Sequence, residues 1–140
     1  MSKVVLITGG SSGIGKSIGE FLTEKGFTVY GTSRTPENYT DSKFKLVQLD
    51  VSDTTSIQNA IQAIIKETGR LDVVINNAGA GITGPIEEIP EAEIKRNFET
   101  NFFGPISQFN SNSISRVKLK SDFSPFAFSR FIYRMRIFMI

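Results

Sequence analysis

Thr8-Gly9-Gly10-Ser11-Ser12-Gly13-Ile14-Gly15 follows the apolar run Val4 to Ile7 and leads into Ile14, Ile18, Phe21 and Leu22, which recur at helical spacing. A strand that ends, reverses sharply and starts a helix aims the first backbone N–H groups of that helix at one point. Those groups are unpaired and the helix dipole adds partial positive charge there, so the point suits a pyrophosphate. Gly9 can take a positive φ in the turn, Gly13 leaves no Cβ between backbone and phosphate, and Gly15 lets the helix lie close on the strand. Ser11 and Ser12 add hydroxyl donors. A glycine triplet alone is weak evidence, but the strand before it and the helix after it make this one read as a dinucleotide-binding turn.

Outward from that turn, apolar runs and helical stripes alternate. The first strand spans about Val4 to Thr8, and the first helix runs from about Gly13 to Lys25, stopped by Gly26. The second strand is Phe27 to Ser33, ended by the turn Arg34-Thr35-Pro36, and the third is Lys45 to Asp50. Ser52 or Asp53 can cap the next helix, whose stripe is Ile57, Ala60, Ile61, Ile64 and Ile65 and whose end is Gly69. Leu71 to Ile75 is a fourth strand, nearly all apolar. Continuous apolar strands between amphipathic helices predict an α/β fold, a doubly wound parallel sheet covered on both faces, and right-handed crossovers give it the strand order 3-2-1-4. No internal repeat and no Pro/Ser-rich linker interrupts this part.

Four stretches carry a resemblance: Thr8 to Gly15, the strand end Leu49-Asp50-Val51, Asn76-Asn77-Ala78-Gly79, and Asn101 in Asn97-Phe98-Glu99-Thr100-Asn101-Phe102-Phe103-Gly104. In this order and spacing they resemble the short-chain dehydrogenase/reductase family over about residues 3 to 106. The resemblance implies a Rossmann fold, a nicotinamide cofactor and hydride transfer between a carbinol and a carbonyl. It also implies that Asp50, with Val51, lies beside the adenine. The turn Asn77-Ala78-Gly79, at the topological switch of the sheet, would let the cofactor ribose lie against the backbone, and Asn101, mid-helix, would hold a water in a proton relay. Taken alone, Asp50 also reads as a helix-capping acid, Asn77 to Gly79 as an ordinary turn, and Asn101 as a surface asparagine of modest helix propensity.

The end of the second strand bears on which cofactor is bound. NAD binding usually needs an acid about 20 residues beyond the glycines to hold the ribose 2′-OH, whereas NADP needs donors for a 2′-phosphate. This chain has Thr32-Ser33-Arg34 and no acid there. Arg34 offers a planar, always-charged fork and Ser33 a further donor, so NADP is expected over NAD. Some NADP-preferring relatives carry a basic residue just before the second motif glycine; Ser12 stands there, so the expectation rests on Arg34, which alone would also read as a solvated turn arginine.

One hundred and forty residues suit one domain. With no Cys there is no disulfide scaffold, and with no signal peptide or apolar span of about 20 residues nothing argues for export or a membrane, so a reducing cytoplasm is the expected location. The absence of His and Cys removes Ser-His-Asp hydrolysis, thiol catalysis and the usual zinc sites; no metal site is expected. Residues 1 to 105 hold 10 Lys/Arg and 13 Asp/Glu, whereas residues 106 to 140 hold 6 and 1 together with half of the 12 phenylalanines. A basic tail can signal nucleic acid or an acidic membrane surface. Here the cations are interleaved with Phe, Met and Ile without helical order, and Phe131 to Ile140 is nearer a strand period, so neither partner is expected.

After Phe103-Gly104-Pro105-Ile106-Ser107 the family pattern continues with an amphipathic helix, a strand ending in serine, and Tyr-x-x-x-Lys on a long helix. None follows here: Tyr133 is the one tyrosine beyond Asn101, and Ile137 stands four residues after it. That tyrosine normally acts as general acid/base beside the lysine, so hydride transfer would lack its proton partner. The expected organisation is a nucleotide-binding half-domain, residues 1 to 106, and a divergent tail, residues 107 to 140, irregular and disordered or the product of a reading-frame shift. Two functions follow: the nucleotide-binding portion of an NADP-dependent dehydrogenase/reductase, catalytically incompetent by itself, or a non-catalytic nucleotide-binding module that pairs with a full-length relative. The fourth strand is expected to be an unprotected edge open to self-association.

Overall fold

Val4, Val5, Leu6 and Ile7 are each at most 3% exposed, which places β1 (Val4–Ile7) at the centre of the sheet. The computed structural model describes residues 2–106 and 136–139. β1 pairs in parallel with β2 (Thr28–Ser33) on one side, Val4 opposite Thr28, and with β4 (Val73–Asn76) on the other, Val5 opposite Val73. β3 (Lys45–Gln48) lies outside β2, so the expected order 3-2-1-4 is present. The period of two along β1 sends Val4 and Leu6 to one face and Val5 and Ile7 to the other. Helix α2 (Thr54–Thr68) covers the first face with Ile57, Ala60, Ile61 and Ile64, and α1 (Gly13–Glu24) covers the second with Ile18 and Leu22, beside Phe44.

The outer edge of β4 differs from the sequence reading. Residues 136–139 form β5 (Arg136–Met139), parallel to β4, with Val73 opposite Arg136 and Asn76 opposite Met139. The expected unpaired edge is therefore occupied along this register, and the described sheet reads β3-β2-β1-β4-β5. The strand period at Phe131 to Ile140 is legible in the sequence. The expectation failed because it required a helical crossover through the Pro125 region, whereas parallel pairing requires only enough chain to return to the same end of the sheet. The rest of the expected tail, residues 107–135 and 140, lies outside the described residues.

Local chemistry sets the other boundaries. Asp53, not Ser52, caps α2: its Oδ1 accepts from Thr55 N–H at 2.8 Å, and Gly69 ends the helix by donating to the Ile65 carbonyl. β3 stops at Gln48, before the expected Asp50, because Asp50 Oδ1 accepts from both the backbone N–H and the hydroxyl of Ser52 and so turns the chain. β4 begins at Val73 because Asp72 serves as a clasp. Its Oδ2 accepts from Val4 N–H and from Arg70 Nε, each at 2.8 Å, pinning the start of β1 to the start of β4. Beyond β4 a loop leads to α3 (Glu91–Phe98), which passes directly into a π-helical turn, Glu99–Phe103.

Candidate cofactor site

Every strand of β1 to β4 ends at the same side of the sheet, and the glycine turn sits over that side. Ser12 is the N-cap of α1 with extended backbone and makes no side-chain cap bond. The first helical bond runs from Lys16 N–H to the Ser12 carbonyl, so the N–H groups of Gly13, Ile14 and Gly15 have no backbone partner in the helix. Gly13 has φ +53, and a Cβ placed on it would meet nothing within 4 Å. Open space at Gly13 thus coincides with a helix start whose first N–H groups have no helical partner, an arrangement that suits a phosphate. Gly15 is the opposite case: a Cβ there would collide with the Gly9 carbonyl and the Asn77 side chain. The close approach expected at Gly15 is thus made, against the turn itself and Asn77 rather than against the strand.

Thr8 ties this turn to the end of β4. Its hydroxyl oxygen, in a residue 1% exposed, accepts from the backbone N–H of Asn77 and of Ala78, both at 3.0 Å. The Asn77 amide in return donates to the carbonyls of Thr8, at 2.9 Å, and Gly9, at 3.2 Å. Asn77 therefore faces the glycine turn and sets its shape. Thr32 does the same from β2, its hydroxyl oxygen accepting from Gly9 N–H and its carbonyl from Gly10 N–H.

These ends enclose a cleft of about 700 Å³. Gly9, Ser11, Ser12, Ser33, Arg34, Asp50, Val51 and the run Asn77 to Gly79 all border it, so the structure brings together residues from four strand ends that the sequence singled out separately. Arg34 is exposed and its guanidinium has no partner among the described residues; its carbonyl accepts from the Gln48 amide. Ser33 Oγ accepts from Thr35 N–H and keeps its own proton to donate. Asp50 presents one carboxylate oxygen to the Ser52 turn, leaving the other without a hydrogen bond among the described residues. Thr8, Gly13, Ile14 and Gly15 do not line the cleft, and Ile14 projects outward, 64% exposed.

Asn101 falls in the π-helical turn rather than in a regular helix. Its Oδ1 accepts from Ala80 N–H at 2.9 Å, and its Nδ2 donates to the Ala80 carbonyl at 2.7 Å and to Asn97 Oδ1 at 3.0 Å. It fastens α3 to the loop after β4. Sequence reasoning missed Tyr39, Arg96 and Thr100, all on the wall of the cleft. Their signal was weak, since they lie in a loop and on an exposed helix. It also missed that Tyr39 and Lys43 stand four residues apart. That pair is not on a helix: Tyr39 ends a short 3₁₀ turn, and Lys43 reaches away to Glu24 at 3.8 Å. The loop that carries it is tied to α1 by Lys16, whose Nζ donates to Asp41 Oδ2 at 2.9 Å. That hydrogen bond raises the lysine pKa and lowers that of the aspartate.

A sequence model of the family described as short chain dehydrogenase matches residues 3–113. The chain belongs to the short-chain dehydrogenase family. Within that family it is similar to the 3-ketodihydrosphingosine reductase of Bacteroides thetaiotaomicron, 46% identical over 106 residues that cover 75% of this chain and 39% of the relative. Among solved structures, the ligand-free aldohexose dehydrogenase of Thermoplasma acidophilum matches with a TM-score of 0.75 at 31% identity, covering 82% of this chain and 45% of that one. ElxO with NADP bound matches with a TM-score of 0.69 at 32% identity, covering 80% of this chain and 49% of that one. The chain thus spans less than half the length of each of these three proteins.

Proposed function

We propose that this chain binds NADP in the cleft at the strand ends and forms the nucleotide-binding portion of an oxidoreductase that interconverts a carbonyl and an alcohol. The observation that carries the reading is the glycine turn, with open space at Gly13 in front of unpaired helix N–H groups. In this reading the backbone from Ser11 to Gly15 holds the pyrophosphate, Asp50 and Val51 lie beside the adenine, and the run Asn77 to Gly79 supports a ribose. Arg34 and Ser33 hold the 2′-phosphate that separates NADP from NAD. The bound dinucleotide supplies or accepts the hydride. A proton must move with it, and no tyrosine and lysine at helical spacing stand together on a described helix to move it. We therefore expect this chain alone to bind cofactor without turning over a carbonyl or alcohol substrate.

The test is fluorescence titration of NADPH and NADH into the purified chain. NADPH should bind more tightly, because charge-assisted hydrogen bonds to the phosphate contribute about 1.5 to 3 kcal/mol, roughly ten- to hundredfold. Arg34→Asp should reverse the order. Gly13→Val, which puts a branched side chain at φ +53 on the open face, should abolish both interactions. Equal affinities in the parent chain refute the NADP preference, and normal binding by folded Gly13→Val refutes the turn as the phosphate site. A turnover rate that disappears in Gly13→Val refutes the expected inactivity.

A further inference from the structure

Resting on the dinucleotide reading above, we propose that Arg96 is a second cationic contact for the cofactor, gripping the adenosine diphosphate part that NAD and NADP share. Arg34, Arg70 and Arg96 are the arginines whose side chains are described. Arg70 is held by Asp72; Arg34 and Arg96 have no acidic partner among the described residues, and both border the same cleft. The neighbouring cation on α3, Lys95, is paired with Glu91 at 2.7 Å, which leaves Arg96 as the cation of that helix without an acidic partner among the described residues.

The placement of Arg96 is fixed by the cleft rather than by a core. α3 has no buried residue, yet Asn101 holds both backbone groups of Ala80, itself on the cleft wall, and Asn97 donates to the same Ala80 carbonyl. One turn after Arg96, Thr100 lines the cleft and donates its hydroxyl to the Arg96 carbonyl at 3.1 Å. Three residues past Asn101, Gly104 is buried so close to Val51 that a Cβ would stand 2.7 Å from the Val51 carbonyl. The helix face bearing Arg96 therefore adjoins Ala80, after β4, and Val51, after β3, whereas Arg34 stands at the end of β2.

Two guanidinium groups without an acidic partner among the described residues, flanking a cleft whose described lining holds one carboxylate, Asp50, fit a ligand with several negative charges and a planar ring. Arg34, at the end of β2, is placed to recognise the 2′-phosphate. Arg96, on the helix that adjoins Val51 and Ala80, meets the diphosphate or the adenine face, and either group belongs to both cofactors. The two arginines then divide the work: Arg34 discriminates, and Arg96 contributes affinity without discrimination.

The experiment compares Arg96→Ala, Arg34→Ala and, as a control on the same helix, Lys95→Ala, each titrated with NADPH, NADH and ADP. Arg96→Ala should weaken all three by about tenfold or more and by a common factor, keeping the NADPH to NADH ratio of the parent. Arg34→Ala should collapse that ratio and leave ADP unchanged, and Lys95→Ala should bind all three as the parent does. Circular dichroism should show Arg96→Ala folded, since its side chain bonds to nothing described. Parent-like affinities in Arg96→Ala, or a loss confined to NADPH, overturn the proposal while leaving the dinucleotide reading intact. A parent chain that binds neither cofactor overturns the dinucleotide reading, and the role of Arg96 with it.

Discussion

Helices α2 and α3 each follow the end of a strand, and they are held in opposite ways. α2 sinks Ile57, Ala60, Ile61 and Ile64 into the core, each at most 5% exposed. α3 and its π-helical turn bury nothing, and Phe98, Phe102 and Phe103 stay 56, 54 and 46% exposed. One helix is positioned by area removed from water, the other by a few hydrogen bonds to Ala80. Burial of apolar surface is strong and tolerant of small shifts, whereas a polar clamp is weaker and fixes direction. α3 borders the cleft, where direction matters, and α2 supports the sheet, where adhesion matters.

Removing apolar volume should break this comparison most visibly. Ile61→Ala should lower unfolding stability by about 2 to 5 kcal/mol, because Ile61 is fully buried and the cavity cannot close completely. Denaturant titration measures it, and a loss under about 1 kcal/mol means that α2 is not the adhesive helix.

Asp72 sharpens the comparison from the polar side, since it is a part-buried clamp at the start of β4. Asp72→Ala should cost about 1 to 3 kcal/mol at neutral pH by leaving Val4 N–H and Arg70 without an acceptor. Burial pushes the Asp72 pKa up, but the hydrogen bonds from Arg70 and Val4 and the nearby charges outweigh it and hold the pKa below the ordinary 3.8. A depressed folded pKa contributes stability that is complete above the unfolded value and lost as pH falls through the folded one. The gap between parent and Asp72→Ala should therefore narrow as the pH drops below 3.8; a gap unchanged down to pH 2 contradicts the assignment.

Asn101→Ala should act locally. Amide exchange should quicken along α3 and at Ala80 while the amides of β1 and α2 keep their protection, with a global cost of about 1 kcal/mol. Equal loss of protection in α2 would mean that the two helices are one cooperative unit. Phe102→Ala should have the smallest effect, within about 0.5 kcal/mol, because its ring already faces water. A loss above about 2 kcal/mol would show that α3 has apolar partners in solution.

The parts of the fold legible in the sequence are those whose signals are local. The glycine turn, the buried stripe of α2 and the apolar run of β1 each declare themselves within a dozen residues, and the order 3-2-1-4 follows from them by handedness. The partner of β4 was not legible, because a parallel neighbour is defined by residues far along the chain and the stretch around Pro125 lacks the periodicity that would have linked them. Asp72 was hidden inside an apolar run, where its charge gave no hint that the side chain doubles back to Val4. At the site, the residues of the glycine turn and the strand ends were readable as motifs, and the cleft unites most of them. Arg96 was not, since on an exposed helix any arginine looks like a solvated one until the fold shows which way its surface turns.

The pairing of β4 with β5 also bears on the order in which the sheet is built. Val4 meets Thr28 and Val5 meets Val73, but Val73 must wait for Arg136. Contacts between residues distant in sequence cost more chain entropy to close and tend to form late. A ribosome delivers β1 to β4 well before it delivers residues 136–139, because the chain emerges amino-terminal end first. For that interval the backbone of Val73 to Asn76 has an unsatisfied side, so the nascent chain, more than the finished one, is the species that a chaperone or a neighbouring chain would meet at this edge.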